Sequence, residues 1–187
     1  LMMGDVDGAA EMIVGDLAGV GMTGLRFLNE NAFLSNGGAG VRAAARYDYS
    51  IEGFTFALSS DEPRGSNTVS IAAGYTMDGF GAGIGYERQS SNVDHIIAYG
   101  SATFQGVTVK GTYGRLDSDT DQYGLSVSGT FDATTVSAFG RRDFGGDTNY
   151  GLGASYNLGG GARLVGGVVR DGGADQTIAD LGLTFSF

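Results

Sequence analysis

The sequence has no cysteine and no tryptophan, and it contains a single proline and one histidine, His95, among 187 residues. Without cysteine there is no disulfide, thiolate metal site or cysteine nucleophile, and one histidine cannot build a multi-histidine zinc or haem centre. Basic residues are also few, 11 against 21 acidic ones with a net charge of -10, which argues against a nucleic-acid partner. The absence of cysteine and the single histidine also exclude most catalytic metal chemistry.

Long hydrophobic runs are missing too, since none approaches the ~20 residues of a membrane-spanning helix. The chain opens at Leu1 without an initiator methionine or a signal peptide, so we expect that an export signal was cleaved or that the chain is a fragment. Glycine is abundant, with 35 residues, but it is interleaved with Tyr, Phe, Val and Leu instead of being gathered in linkers. Disorder is therefore a poor interpretation.

From about residue 41 apolar and small polar residues alternate, which is the period-two pattern of a strand with two different faces. Val69, Ile71 and Tyr75 would share one face, with Ser70 and Gly74 on the other. The pattern predicts about eleven strands of about nine residues, long enough for a tilted membrane crossing. They lie near 41–49, 53–60, 68–76, 80–88, 95–104, 107–114, 123–131, 134–142, 149–157, 162–170 and 177–187.

Short connections alternate with longer polar ones, and aromatic residues gather near both strand ends, as is typical of outer-membrane barrels. The facing of two strands stays open, because Ile96 and Ile97 are adjacent and because Val136 and Phe139 disagree. An open barrel edge in lipid would leave unpaired N–H and C=O groups. We therefore expect the functional channel to contain more than these eleven strands. Counting the crossings back from the C-terminus also predicts at least one earlier strand, which lies before residue 41 or is missing.

These patterns predict an all-β fold, an antiparallel transmembrane β-barrel with a long, partly helical, inward-folded loop near the N-terminus. The domain organisation is one barrel domain over 1–187 that is truncated at its N-terminus. Within it we expect the end of a preceding strand at 1–4, a constriction loop at 5–40 and barrel strands at 41–187.

Several stretches resemble Rhodobacter-type general porins. YGLSVSGTFDATTVSAFG (123–140), YGLGASYNLGGGARLVGG (150–167) and ADLGLTFSF (179–187) are similar to their closing strands. MGDVDGAAEMIVGDL (3–17) is similar to the entry into their constricting third loop. Members are sixteen-stranded trimeric barrels, so the resemblance implies that the strands present are the sixth to the sixteenth.

The resemblance implies a water-filled channel in the outer membrane of a Gram-negative bacterium, through which small hydrophilic solutes and ions diffuse passively. It implies no enzymatic activity and no cofactor. Expected partners are the lipid bilayer, lipopolysaccharide, two further copies in a homotrimer, and the outer-membrane assembly machinery. The last would recognise the C-terminal strand through Phe185 and Phe187.

In a diffusion pore the working feature is a transverse field between carboxylates on one side and Arg or Lys on the other. The constriction-loop acids are spaced closely enough to favour a bound cation, although a solvated acidic loop is the alternative. The candidate carboxylates are Asp5, Asp7, Glu11, Asp16 and Glu30. The candidate wall charges, which could instead merely neutralise one another, are Arg42, Arg46, Asp48, Glu87, Lys110, Arg141 and Arg163.

Two further motifs are weaker. Asp117, Asp119 and Asp121 have a D-x-D-x-D spacing that can hold Ca²⁺, but the glycine and closing glutamate of an EF-hand are missing, so a solvated loop is favoured. His95 beside Asp94 could indicate an outer-membrane hydrolase, yet the sequence has no nucleophile elbow to accompany it.

Two other classes of protein fit part of the pattern. One is an autotransporter-like translocator barrel of about twelve strands, which an upstream passenger or a helix threading the pore would favour. The other is a Ca²⁺-binding, glycine-rich adhesin, whose mark would be a short repeat with aspartates in register. No such repeat is visible in this sequence.

Overall fold

The computed structural model describes residues 1–36, 43–61 and 67–186. These residues form twelve strands, one short helix and two 3-10 turns. In chain order they are β1 (Met2–Val6), α1 (Ala9–Val14), a first 3-10 turn (Leu25–Phe27), a second (Leu34–Asn36), β2 (Ala43–Ile51), β3 (Phe54–Asp61), β4 (Thr68–Met77), β5 (Phe80–Gln89), β6 (Val93–Phe104), β7 (Val107–Leu116), β8 (Asp121–Phe131), β9 (Thr134–Arg142), β10 (Thr148–Gly159), β11 (Ala162–Asp171) and β12 (Gln176–Phe185). In this part of the chain no helix is long and apolar enough to cross a membrane.

The strands form one antiparallel sheet in which each strand pairs with the next along the chain. β10 and β11, for example, pair from Tyr150 opposite Arg170 to Asn157 opposite Arg163. Both strands match their predicted bounds to within two residues. β1 pairs with β2 and is the earlier strand that the count of crossings predicts. It continues to Val6, so the chain leaves the sheet two residues later than predicted.

Two-residue turns close several of the hairpins. In Glu52-Gly53 both residues have positive φ, 47° and 84°, and Asp78-Gly79 repeats this with 44° and 84°. This is the backbone of a type I′ turn, whose twist matches that of the paired strands. Glycine in the second position adopts the left-handed conformation without a steric penalty. Local turn chemistry therefore fixes the register of these hairpins.

The two faces of the strands differ as the alternation predicts. On one face large apolar side chains are exposed, including Leu125 at 58%, Leu152 at 53% and Leu183 at 52%. The other face is polar, and Ser70, for example, is fully buried there beneath other residues. We call these the apolar face and the polar face. An exposed apolar surface of this kind is stable against hydrocarbon and unstable against water.

The structure resolves both strands whose facing the sequence leaves open. Ile96 is 45% exposed on the apolar face, whereas Ile97 is buried at 1% on the polar face. Val136 is likewise 38% exposed, whereas Phe139 is buried at 5%. In each case the apolar residue on the polar face packs against other buried apolar side chains.

The described residues group into two compact units. Unit 1 comprises Leu1–Gly15, Asn31–Ser101 and Thr112–Gln122, and unit 2 comprises Asp16–Glu30, Ala102–Gly111 and Tyr123–Phe187. Each has its own apolar clusters on the polar face. Those of unit 1 are Ala10, Val14, Phe33 and Ile97, and Ala9, Ala57 and Ala72; that of unit 2 is Leu17, Val20, Leu25, Phe139 and Val169.

Candidate functional site

The chain between β1 and β2 supplies the candidate site; we call its residues 7–36 the inserted segment. In unit 1, α1 packs on the polar face of β3, β4 and β5. The first two N–H groups of this helix donate to the hydroxyls of Ser59 and Ser70, each at 2.9 Å. Gly85 lies directly beneath, where a Cβ would come within 2.5 Å of the Cβ of Ala10. Small residues therefore allow the helix to touch the strands.

Glu87 on β5 holds the second 3-10 turn against the strands of unit 1. Its carboxylate accepts hydrogen bonds from the N–H of Leu34 at 2.8 Å and the N–H of Ser35 at 3.2 Å. It also accepts one from the Ser35 hydroxyl at 2.5 Å. The sequence predicts Glu87 as a charge on the pore wall; in the structure the residue lies on the polar face and is fully buried. Its role is that of an anchor.

His95 on β6 completes this anchor. Its Nδ1 lies 2.9 Å from a carboxylate oxygen of Glu87. On the other side of the ring, Gln122 accepts from the N–H of Ala32 at 2.9 Å, so the Gln122 amide nitrogen faces His95 Nε2 at 3.3 Å. An amide nitrogen is a donor, so Nε2 accepts and Nδ1 carries the proton donated to Glu87. The histidine is a structural bridge in a buried network.

Arg46 on β2 ties the start of the inserted segment to the strands. Its Nε donates to Asp48 at 2.8 Å, and its Nη1 donates to the backbone oxygen of Asp7 at 2.7 Å. Arg46 is only 7% exposed, so most of its charge is covered. Arg42, the other wall cation predicted on this strand, lies outside the described residues.

Two predicted wall cations lie on the polar face of unit 2. Lys110 on β7 donates from Nζ to the backbone oxygen of Asp16 at 2.8 Å. Arg141 on β9 reaches Asp143 at 4.0 Å and feels the negative charges of Asp16 and Glu30. Its side chain is 9% exposed. Both cations therefore face the inserted segment more than they face water.

The tip of the inserted segment is tethered in unit 2 by two aspartates that sequence reasoning missed. Asp180 on β12 accepts from the N–H of Met22 at 3.0 Å and from both the N–H and hydroxyl of Thr23 at 2.7 Å. Asp171 at the end of β11 pairs with Arg26 at 2.9 Å. Asp180 alternates with exposed leucines along β12, and a lone carboxylate on a polar face is the signal that could have identified it.

Between these tethers the backbone is strained. Leu25, Arg26 and Phe27 have φ values of 44°, 68° and 55°, so three successive non-glycine residues are left-handed. Each such residue costs roughly 1–2 kcal/mol. Leu25 is buried in the apolar cluster of unit 2, while Phe27 remains 59% exposed. Packing and tethers together hold a turn that its own sequence would not favour.

The predicted constriction carboxylates keep access to water. Asp7 and Glu30 are exposed, and Glu11 and Asp16 are partly exposed. Asp5 is exposed as well, but it lies within β1 and not on the loop to which the sequence assigns it. The negative charge of the inserted segment is thus more accessible than the positive charge of the strands beneath it.

The remaining candidates lie away from the inserted segment. Arg163 is exposed on the polar face next to a short turn of β11. Among the described residues no group of three or more His, Asp or Glu side chains is arranged to hold a metal ion. In the proposed calcium motif Asp119 and Asp121 pair with Arg115.

The comparisons with known proteins agree with this arrangement. A sequence profile of Gram-negative porins matches residues 1–176. The chain is also 33% identical to a porin of Rhodobacter capsulatus over 230 aligned positions, which include 99% of this chain and 76% of the relative. The chain belongs to the Gram-negative porin family. It forms a channel in the outer membrane, and the relationship indicates a channel rather than an enzyme.

Solved porin structures resemble this porin in fold. A porin structure refined at 1.8 Å is 31% identical, with a TM-score of 0.84 over 99% of this chain and 76% of the other. A mutant of Rh. blastica porin is 28% identical, with a TM-score of 0.64 over 76% of this chain and 54% of the other. The predicted fold class, an all-β antiparallel transmembrane barrel, is confirmed, and the apolar face of the porin contacts lipid.

Proposed function

We propose that this porin conducts small hydrophilic solutes and ions by passive diffusion, without a chemical step, and that the inserted segment narrows the channel. Support comes from the way the segment is fastened in each unit. In unit 1 the buried Glu87 holds it, and in unit 2 Asp180 and Asp171 hold it. A segment that only filled space would not need charged tethers on several strands.

The same segment sets a preference for cations. Arg46 and Arg141 are largely covered, whereas Asp7 and Glu30 are exposed, so carboxylates dominate the charge that a passing ion meets. A low-dielectric wall strengthens the field of such charges. This difference in exposure between the acidic segment and the basic strands is the observation on which the proposed selectivity depends.

The test is a reversal-potential measurement on planar bilayers that separate two KCl concentrations. The wild-type channel should favour K⁺, and the double variant Asp7→Asn/Glu30→Gln should move the reversal potential toward zero. The matched control is Glu52→Gln/Asp78→Asn, which neutralises two exposed acids in short turns. An equal shift in the control, or anion preference in the wild type, would contradict the proposal.

We further propose that three copies assemble and that the C-terminal strand is read by the assembly machinery. β12 presents alternating leucines on the apolar face, and Phe185 is 60% exposed there. Phe187 lies outside the described residues. Insertions into a bilayer should raise conductance in groups of three equal steps, and Phe185→Ser should lower the yield of membrane-inserted protein in cells.

A further inference from the structure

Gln122 on β8 binds two groups at once, the backbone of Ala32 and the ring of His95. Its side-chain oxygen accepts from the N–H of Ala32 at 2.9 Å, and its side-chain nitrogen donates to the carbonyl oxygen of Ala32 at 2.7 Å. The same nitrogen lies 3.3 Å from His95 Nε2. All three residues belong to unit 1, and both side chains are buried. The two bonds to Ala32 therefore exist in only one orientation of the amide.

This orientation of the Gln122 amide requires that Nε2 of His95 carries no proton. An amide nitrogen has two hydrogens to donate and does not accept. One hydrogen points to Ala32, so the other meets the ring nitrogen, which must accept it. A proton on Nε2 would place two donors face to face. Turning the amide over would remove this conflict, but it would set oxygen against the Ala32 carbonyl and nitrogen against the Ala32 N–H, so both bonds to Ala32 would be lost.

The surroundings hold the His95 ring in this position. Gly114 on β7 lies so close that a Cβ there would come within 2.9 Å of both His95 Nε2 and the Gln122 amide nitrogen. On the other side of the ring, Nδ1 lies 2.9 Å from Glu87. The ring of Phe33 packs against His95 edge-on, with 6.3 Å between the ring centres. Because the ring is fixed, a proton added to it has to be accommodated by Gln122.

The charged groups near His95 are carboxylates on three strands. They are Glu87 on β5, Asp61 on β3 and Asp94 on β6. Glu87 contacts the ring and interacts with the charge of Asp61, whereas Asp94 lies on the opposite, apolar face. β7 and β8 place the uncharged Gly114 and Gln122 beside the ring, and residues 31–36 of the inserted segment carry no charge. A protonated His95 keeps Glu87 as its partner, so the fold can hold the charged ring.

We propose that His95 and Gln122 form a proton-operated latch, which holds Ala32 when Nε2 is unprotonated and releases it when Nε2 binds a proton. Histidine changes charge between about pH 8 and pH 5. The held state has no proton on Nε2, so it is favoured at the upper end of this range and lost toward the lower end. Glu87 still holds Leu34 and Ser35, so the release is local.

The consequence of the latch rests on the proposed function, in which the inserted segment narrows the channel. Ala32 lies where this segment returns to the strands of unit 1. Release of Ala32 makes residues 31–36 more mobile, so the constriction fluctuates more in an acidic medium than in a neutral one. The strands themselves stay paired, because the latch contacts them only through side chains.

The test is hydrogen exchange of residues 31–36 in the refolded porin, expressed at each pH as protection relative to an unstructured peptide. In the wild type this protection should fall about ten-fold between about pH 8 and pH 5, because release exchanges two hydrogen bonds for bonds to water. His95→Asn keeps a donor for Glu87 but does not titrate, so its protection should stay constant. Single-channel current noise should rise over the same range in the wild type and not in His95→Asn.

Gln122→Glu tests the sign of the effect. A carboxylate at this position accepts from the Ala32 N–H and from a protonated Nε2, but it repels the unprotonated Nε2 and the Ala32 carbonyl. Protection of residues 31–36 should therefore rise on acidification in this variant. Asp61→Asn and Asp94→Asn are the matched controls, since each removes a neighbouring carboxylate, and both should retain the pH dependence of the wild type.

Protection that does not change with pH in the wild type, or that changes equally in His95→Asn, would overturn the latch. Loss of the pH dependence in Asp61→Asn would assign the proton to that carboxylate and overturn it as well. Conductance at neutral pH is recorded separately. A wild-type channel that conducts while its protection stays constant defeats only this inference, whereas a pH-dependent latch in a protein that does not conduct defeats the proposed function.

Discussion

Removing the Glu87 carboxylate should release one end of the inserted segment while leaving the strands paired. Glu87→Ala takes away the acceptor of two backbone N–H groups and one hydroxyl, and also the partner of His95. Each hydrogen bond to a charged group contributes about 1.5–3 kcal/mol, so the loss of the two backbone bonds alone costs about 3–6 kcal/mol. The free energy lost in Glu87→Ala is limited, because residues 31–36 can detach from the strands and form hydrogen bonds with water instead.

Taking the lower value of about 3 kcal/mol, the detached state of residues 31–36 should become roughly 100-fold more populated. Limited digestion with chymotrypsin measures this, because Phe33 and Leu34 are cleavage sites that the folded segment protects. Proteolysis of a transiently opened region follows its equilibrium population when closing is fast. The initial rate of cleavage at these two residues should therefore rise by about two orders of magnitude.

Two further variants make the experiment decisive. Ser35→Ala removes only the hydroxyl donor, so its cleavage should rise by about five- to ten-fold, as expected for about 1 kcal/mol. Glu52→Ala changes an exposed glutamate in a short turn and should be cleaved at the wild-type rate. The reasoning fails if Glu87→Ala is cleaved no faster than the wild type, or if Ser35→Ala matches Glu87→Ala.

Three other changes test the remainder of the site. Phe139→Ala should cost about 3–5 kcal/mol of local stability and speed amide exchange in residues 17–25, whereas Val136→Ala on the apolar face should leave that exchange unchanged. Asp180→Ala should increase single-channel current noise, because the tip at Thr23 loses two of its hydrogen bonds, and a quiet channel would refute this tether. Phe27 has a φ of 55°, so Phe27→Gly should leave the amide exchange of residues 17–25 at the wild-type rate, whereas Phe27→Val should accelerate it. Equal exchange rates in the two variants would contradict the left-handed turn.

The strands and their faces could be predicted because alternation and turn chemistry are local properties of the sequence. β10 and β11 follow their expected bounds closely, and Leu125 and Leu152 are exposed as expected. The alternation of apolar residues with a period of two also indicates which side chains contact lipid. This part of the fold needs no knowledge of distant contacts.

The polar face could not be predicted in the same way, because its burial depends on where the inserted segment lies. Glu87 has the sequence context of a wall charge, yet a turn from far along the chain covers it. Ile97 and Phe139 break the polar pattern because apolar residues of the same segment pack on them. The inserted segment has no strand periodicity, so its contacts cannot be predicted from the local sequence.

The bond between Met22 and Asp180 joins residues that are 158 positions apart. During biogenesis the tip of the inserted segment thus has no hold on β12 until the last strand has arrived, and chain closure of that length is entropically slow. A nascent porin lacking its final hairpin would carry an inserted segment that Glu87 still anchors but whose tip at Met22 is not held. The pairing of β12 and the fixing of the segment's tip are consequently one event in the assembly of the chain.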